Sequence, residues 1–208
     1  MALNRPFGLS PVRQGSASPF NMQVNKYQVP QADGSAYYIG DAVKTAANAD
    51  VNGIPAVQKA AGTDTLRGVM VGVENPATNL PSLVGVSLDQ TVTSIPAAKT
   101  KDYYCFVADD PDTLFTIQDD GITTANLVAT NANKNFSLTI AAPSLGYQMS
   151  GTVMLSSSLA TTVGLNMKAI GLAQEPAIAG GGSNAFGAYA IWMCKINQHE
   201  LMGNQVGV

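Results

Sequence analysis

Charge is scarce in this chain. Only 12% of its 208 residues are Asp, Glu, Lys or Arg, half the ordinary share of about 25%, although 46% are hydrophobic. That hydrophobic content excludes disorder driven by charge. The eleven basic residues stand singly along the sequence against fourteen acidic ones, for a net charge of −3. Nucleic-acid binding by counterion release needs clustered Lys and Arg, so no nucleic-acid partner is expected. There is one histidine, His199, and there are two cysteines, Cys105 and Cys194. The cysteines match no zinc or redox spacing, and two buried thiols are expected. Apolar runs of the roughly 20 residues that span a membrane are missing, and Met1–Ser10 lacks the apolar core of a signal peptide. No membrane partner is expected, and the sequence points to a chain that stays in the cytosol where it is made.

The placement of the few charges says more than their sum. No charged residue lies between Lys134 and Lys168, and none between Glu175 and Lys195. Ser, Thr, Asn, Gln, Gly and Pro interrupt both stretches, which excludes membrane helices. A soluble monomer ordinarily shows water a more charged surface than this composition supplies. Burial of these stretches against neighbouring subunits relieves the shortage, so assembly into a larger particle is expected, with a surface of small uncharged polar residues as the plainer alternative.

Local patterning predicts an all-β protein. Residues 1–30 carry Pro6, Pro11, Pro19 and Pro30, a spacing that forbids a long helix and predicts an extended N-terminal arm. Its apolar side chains include Leu3, Phe7, Leu9 and Phe20, so the arm is expected to lie on an apolar surface, of this fold or of a neighbour. The remainder, 31–208, reads as a β-rich body of the jelly-roll or small barrel or sandwich kind, with a sub-boundary near Pro76. Strands are predicted at Tyr37–Ile39, Gly68–Val73, Tyr103–Val107 and Thr113–Gln118, with turns at Asn52-Gly53, Asp109–Asp112 and Asp120-Gly121. Strands at 136–140 and 147–155 follow, then a helical turn at 156–161. In 163–169 Val163, Leu165, Met167 and Ala169 alternate with polar residues. A last strand, Ala188–Asn197, is apolar on both faces, which places Trp192, Ile191 and Met193 in a core or at a subunit seam. Ala179–Ser183, with three successive glycines, reads as a loop.

Little in the sequence can be assembled into catalysis. Cys194 lies an odd number of positions before His199, so on one strand the two face opposite sides. Gly181-Gly182-Ser183-Asn184-Ala185 is only a near miss for an esterase elbow, and no phosphate loop or dinucleotide fingerprint occurs. No enzyme activity, cofactor or metal is expected. Asp109, Asp110 and Asp112 are the one acidic cluster, and a solvated turn is favoured there over a calcium site because the regular twelve-residue loop is missing.

Several short motifs in serial order carry a resemblance. They are Phe7-Gly8-Leu9-Ser10-Pro11-Val12, Tyr38-Ile39-Gly40-Asp41-Ala42-Val43, Gly68-Val69-Met70-Val71-Gly72, Asp109-Asp110-Pro111-Asp112 with Phe115-Thr116-Ile117-Gln118, and Trp192 to His199. Together they resemble the capsid cement (decoration) proteins of short-tailed and other tailed bacteriophages. The resemblance implies a virion structural protein with a β-barrel or jelly-roll body that binds the outside of an HK97-type shell, as a dimer or trimer. Its partner would be the phage major capsid protein, and its place the capsid of a virion assembled in the host cytoplasm. The arm residues Leu3, Arg5, Phe7, Leu9, Arg13 and Phe20 are the expected capsid contacts, the two arginines suiting acidic or carbonyl-rich patches. A tail- or fibre-associated phage protein would share the composition, and a lectin-like module would need exposed aromatics clustered together.

Overall fold

The computed structural model describes residues 4–76, 81–83, 92–122, 128–143, 148–173 and 184–202. Leu3 and the whole Ala179–Ser183 stretch lie outside the described residues, as does part of the strand predicted at 147–155.

The described residues form fifteen strands: β1 Ser10–Gln14, β2 Asn25–Val29, β3 Tyr37–Tyr38, β4 Ala42–Ala49, β5 Pro55–Lys59, β6 Gly68–Glu74, β7 Pro81–Leu83, β8 Ser94–Ile95, β9 Tyr103–Ala108, β10 Thr113–Gln118, β11 Asn135–Phe136, β12 Leu138–Thr139, β13 Val153–Met154, β14 Met167–Leu172 and β15 Ile191–Ile196. Among the described residues the only helical pieces are short 3-10 turns such as Ser156–Ser158, so the protein is all-β.

Five strands close on themselves. Pairing runs β4-β5-β2-β9-β6 and returns from β6 to β4 through Ala42 opposite Val69 and Val43 opposite Gly68. The result is a small barrel in which only the β2–β5 contact is parallel. Alternation along its strands sends Tyr27, Val29, Val43, Val57, Met70, Val73, Cys105 and Val107 into one buried apolar cluster. Closure leaves a barrel without free edges, which is how small β proteins avoid unwanted strand pairing.

A second sheet has the order β1-β10-β15-β14-β11. Its inner face carries Phe115, Ile117, Phe136, Met167, Trp192, Cys194 and Ile196, which pack with Val69 and Val71 from the outside of barrel strand β6. Strand β6 is therefore buried on both faces from Gly68 to Val73. A β-carbon on Gly68 would lie 2.4 Å from the Ala108 carbonyl oxygen, so the neighbouring strand demands glycine there. The chain leaves the barrel after β9 and enters the sheet at β10, so the change of layer falls at residues 109–112. The sub-boundary expected near Pro76 is not a division of the fold, because β6 before it pairs with β9 beyond it.

The N-terminal segment is extended as expected, but it is part of the body. Strand β1 pairs antiparallel with β10, and β2 sits between β5 and β9 in the barrel wall. Leu9 is 1% exposed in the core beneath the second sheet, and Phe20 packs against the same core. The surface that the arm lies on is this fold's own. Pro11 fits in β1 because β1 borders the sheet, where a missing N–H breaks no ladder on the open side. That outer side is covered in turn by the chain's own return, with Gln14 N–H donated to the Ser18 carbonyl and Phe20 N–H to that of Val12.

Candidate interaction surface

The sheet β1-β10-β15-β14 presents its second face outward. Along β15 the odd positions Ile191, Met193 and Lys195 are half-buried while Trp192, Cys194 and Ile196 are covered. Of the three residues expected in a core or seam, Trp192 is in the core at 0% exposure, whereas Ile191 and Met193 stand on this outer face. Of the two apolar faces of Ala188–Asn197, the one carrying Trp192, Cys194 and Ile196 is covered by the protein's own core, and the one carrying Ile191 and Met193 is half-buried.

The arm residues divide in the same way. Leu9 is withdrawn from any contact with a partner by its burial, and Phe20 keeps only part of its ring at the surface. Phe7 is half-buried. Arg5 is exposed, and its backbone N–H donates to Oε1 of Gln118 at 2.9 Å, which fixes it beside the outer face. Arg13 lies on that face directly opposite Leu114.

The acidic turn at the change of layer is solvated at Asp112 but not at Asp109. Asp109 is 4% exposed and accepts hydrogen bonds from Asn25 Nδ2 at 2.9 Å and from the Tyr27 hydroxyl at 2.5 Å, with the Arg67 guanidinium 3.6 Å away. Burial, with the carboxylate of Asp109 beside it, pushes the Tyr27 hydroxyl well above the ordinary tyrosine range. Asp112 instead faces water and pairs with Lys195 at 2.6 Å, which holds its carboxyl below the usual range. Asp110 accepts the N–H of Asp112 in an Asx turn. The three carboxylates thus have separate tasks, and among the described residues no three His, Cys, Asp or Glu come together to hold a metal ion. A groove of about 480 Å³ runs past this turn between Asn25, Arg67, Asp110 and Leu201.

The thiols and the histidine do not meet as a reactive pair. Cys105 lies inside the barrel and Cys194 beneath the sheet, and burial raises both thiols, Cys105 to about 12. His199 is 1% exposed; its Nδ1 accepts the Leu201 N–H at 3.0 Å, and Nε2 has no hydrogen-bond partner. Backbone bonds from Leu66 N–H to the Gln198 carbonyl and from Glu200 N–H to that of Leu66 clasp this segment to the barrel.

Lys168 and Lys195 were not singled out by sequence reasoning. Both occupy outward positions in alternating strands, a signal the sequence does carry, but their nearness depends on β14 and β15 pairing in one particular register. No protein-family model, curated protein or solved structure matches this chain.

Proposed function

We propose that this chain is a virion structural protein, a capsid cement protein that binds the outer surface of an HK97-type major capsid lattice and stabilises the DNA-filled head. The observation that carries the reading is the open face of the second sheet. Half-buried Ile191 and Met193 stand there in a layer whose other face is already filled by the protein's own core. A firm all-β body offering one such face suits a role in which shape is held and neighbours are bridged.

The serial resemblance of the motifs supports the same reading, as do the uncharged stretches between Lys134 and Lys168 and between Glu175 and Lys195. Within them Val163 and Phe186 are exposed, at 78% and 46%. Neutral apolar loop positions of this kind serve contacts with other subunits, including a second or third copy of this chain. A cement acts by binding the assembled lattice in preference to its dissociated parts, which shifts the equilibrium by mass action, and many copies add their effects.

The test is cosedimentation of the purified chain with DNA-filled heads that lack tails. Saturable binding to such heads supports the proposal. Binding to isolated tails or fibres, with none to heads, would replace it by the tail-associated reading.

A further inference from the structure

The basic residues that stand singly in the sequence are gathered by the fold. Arg13 on β1 is opposite Leu114 on β10, Leu114 is opposite Lys195 on β15, and Lys195 is opposite Lys168 on β14. This is one cross-strand row, and all its members point to the outer face. Strand spacing of about 4.8 Å puts the whole row within roughly 15 Å. Lys168 and Lys195, directly opposite each other, have β-carbons about 5 Å apart, a placement that costs stability when both charges are alike.

Among the described residues this repulsion is answered at one place. Asp112 pairs with Lys195, but its side chain is 69% exposed, so water screens the pair. Arg13 and Lys168 have no acidic partner among the described residues, and Nε of Arg13 is shielded from solvent with no hydrogen-bond acceptor. A protein of net charge −3 therefore holds on one face a row of cations that its own acids leave mostly uncompensated.

We propose that this row is the docking site for an acidic protein surface, in which Asp or Glu carboxylates of the partner meet Arg13 and Lys168 while its aliphatic side chains cover Met193 and Ile191. The inference rests on the capsid reading above and names the chemistry of the capsid patch: carboxylates about 10–15 Å apart, with an apolar strip beside them. Aliphatic groups beside the cations, Met193 and Ile191 along β15, favour a protein over a nucleic acid. The row has no aromatic for base stacking and too few cations for strong counterion release.

The experiment measures binding of the full chain to tailless DNA-filled heads at low and high salt. Lys168→Glu removes the like-charge pair and sets a carboxylate opposite Lys195, so the isolated protein should melt at the same temperature or higher. Its binding to heads should nevertheless weaken about tenfold or more, the equivalent of about 1.4 kcal/mol. Arg13→Gln should weaken binding in the same direction, and wild-type binding should fall with added salt. Lys101→Glu, the same charge change at an exposed position just before β9, should bind as the wild type does. Undiminished binding by both Lys168→Glu and Arg13→Gln overturns the docking site while leaving the capsid reading in place. Failure of the wild type to bind heads removes the capsid reading and this partner with it, and tighter binding to free DNA than to heads overturns the choice of a protein.

Discussion

Leu9 donates its backbone N–H to the carbonyl of Gly40 at 2.9 Å, and the chains cross so closely there that a β-carbon on Gly40 would lie 2.6 Å from the Phe7 carbonyl oxygen. The N-terminal segment is thus locked against the loop between β3 and β4 through main-chain atoms, and Gly40 has φ of +93°, open to glycine and strained for other residues. Gly40→Ala should lower stability by about 1–3 kcal/mol, read as a lower urea midpoint with an unchanged slope. An unchanged midpoint would mean that the segment is not held at this crossing.

Removal of residues 1–20 should be more severe. It deletes β1 from the sheet and Leu9 from the core, and truncating one buried leucine to alanine alone costs about 2–5 kcal/mol against a total of about 5–15 kcal/mol. The truncated chain should melt far lower or fail to fold. A soluble truncated protein with unchanged melting would return the segment to the role of a free arm that serves only a partner.

Trp192 is 0% exposed and rests against Phe186, ring centroids 5.7 Å apart. Its fluorescence should be that of a buried indole, and Trp192→Ala should cost about 3–5 kcal/mol. Both thiols should stay unlabelled in the native protein and react together on unfolding, because each is buried and pushed toward its neutral form. Rapid labelling of either cysteine under native conditions contradicts its placement.

His199 gives stability a defined pH dependence. Burial first, then the nearby Arg67 guanidinium, lowers its pKa from 6.5 to about 4, with Lys195 acting the same way and Asp109 and Asp110 opposing. The unfolded chain takes up this proton first, so stability is full above about pH 6.5 and declines as pH falls toward 4. Protonation also removes the Nδ1 acceptor that holds the Leu201 N–H. The melting temperature should drop across that window, and His199→Gln should flatten the drop. An equal slope in wild type and variant would exclude the histidine as its source.

Local chemistry announced some of this fold and hid the rest. Strand β10 begins and ends where predicted because Asp112 and Asp119-Asp120-Gly121 bracket a β-branched and aromatic run. Strand β2, by contrast, reads Asn-Lys-Tyr-Gln-Val, too polar to stand out. It is a barrel strand because β9 and β5 flank it, and both pairings are long-range. Closure of β6 onto β4 depends likewise on contacts between distant segments. The cationic row was invisible for the same reason: Arg13, Lys168 and Lys195 are isolated in sequence and adjacent only through the register of four strands. Asp109 read as part of a solvated turn because nothing local shows that Asn25, Tyr27 and Arg67 converge on it.

The most direct test of the proposed capsid role is a density map of the intact particle resolved well enough to place this fold. The account predicts density for the barrel and sheet on the outside of the shell, repeated with the lattice, with Arg13, Lys168 and Lys195 turned toward acidic side chains of the capsid subunit. Density for this chain confined to the tail or its fibres, with a bare outer shell, would contradict it.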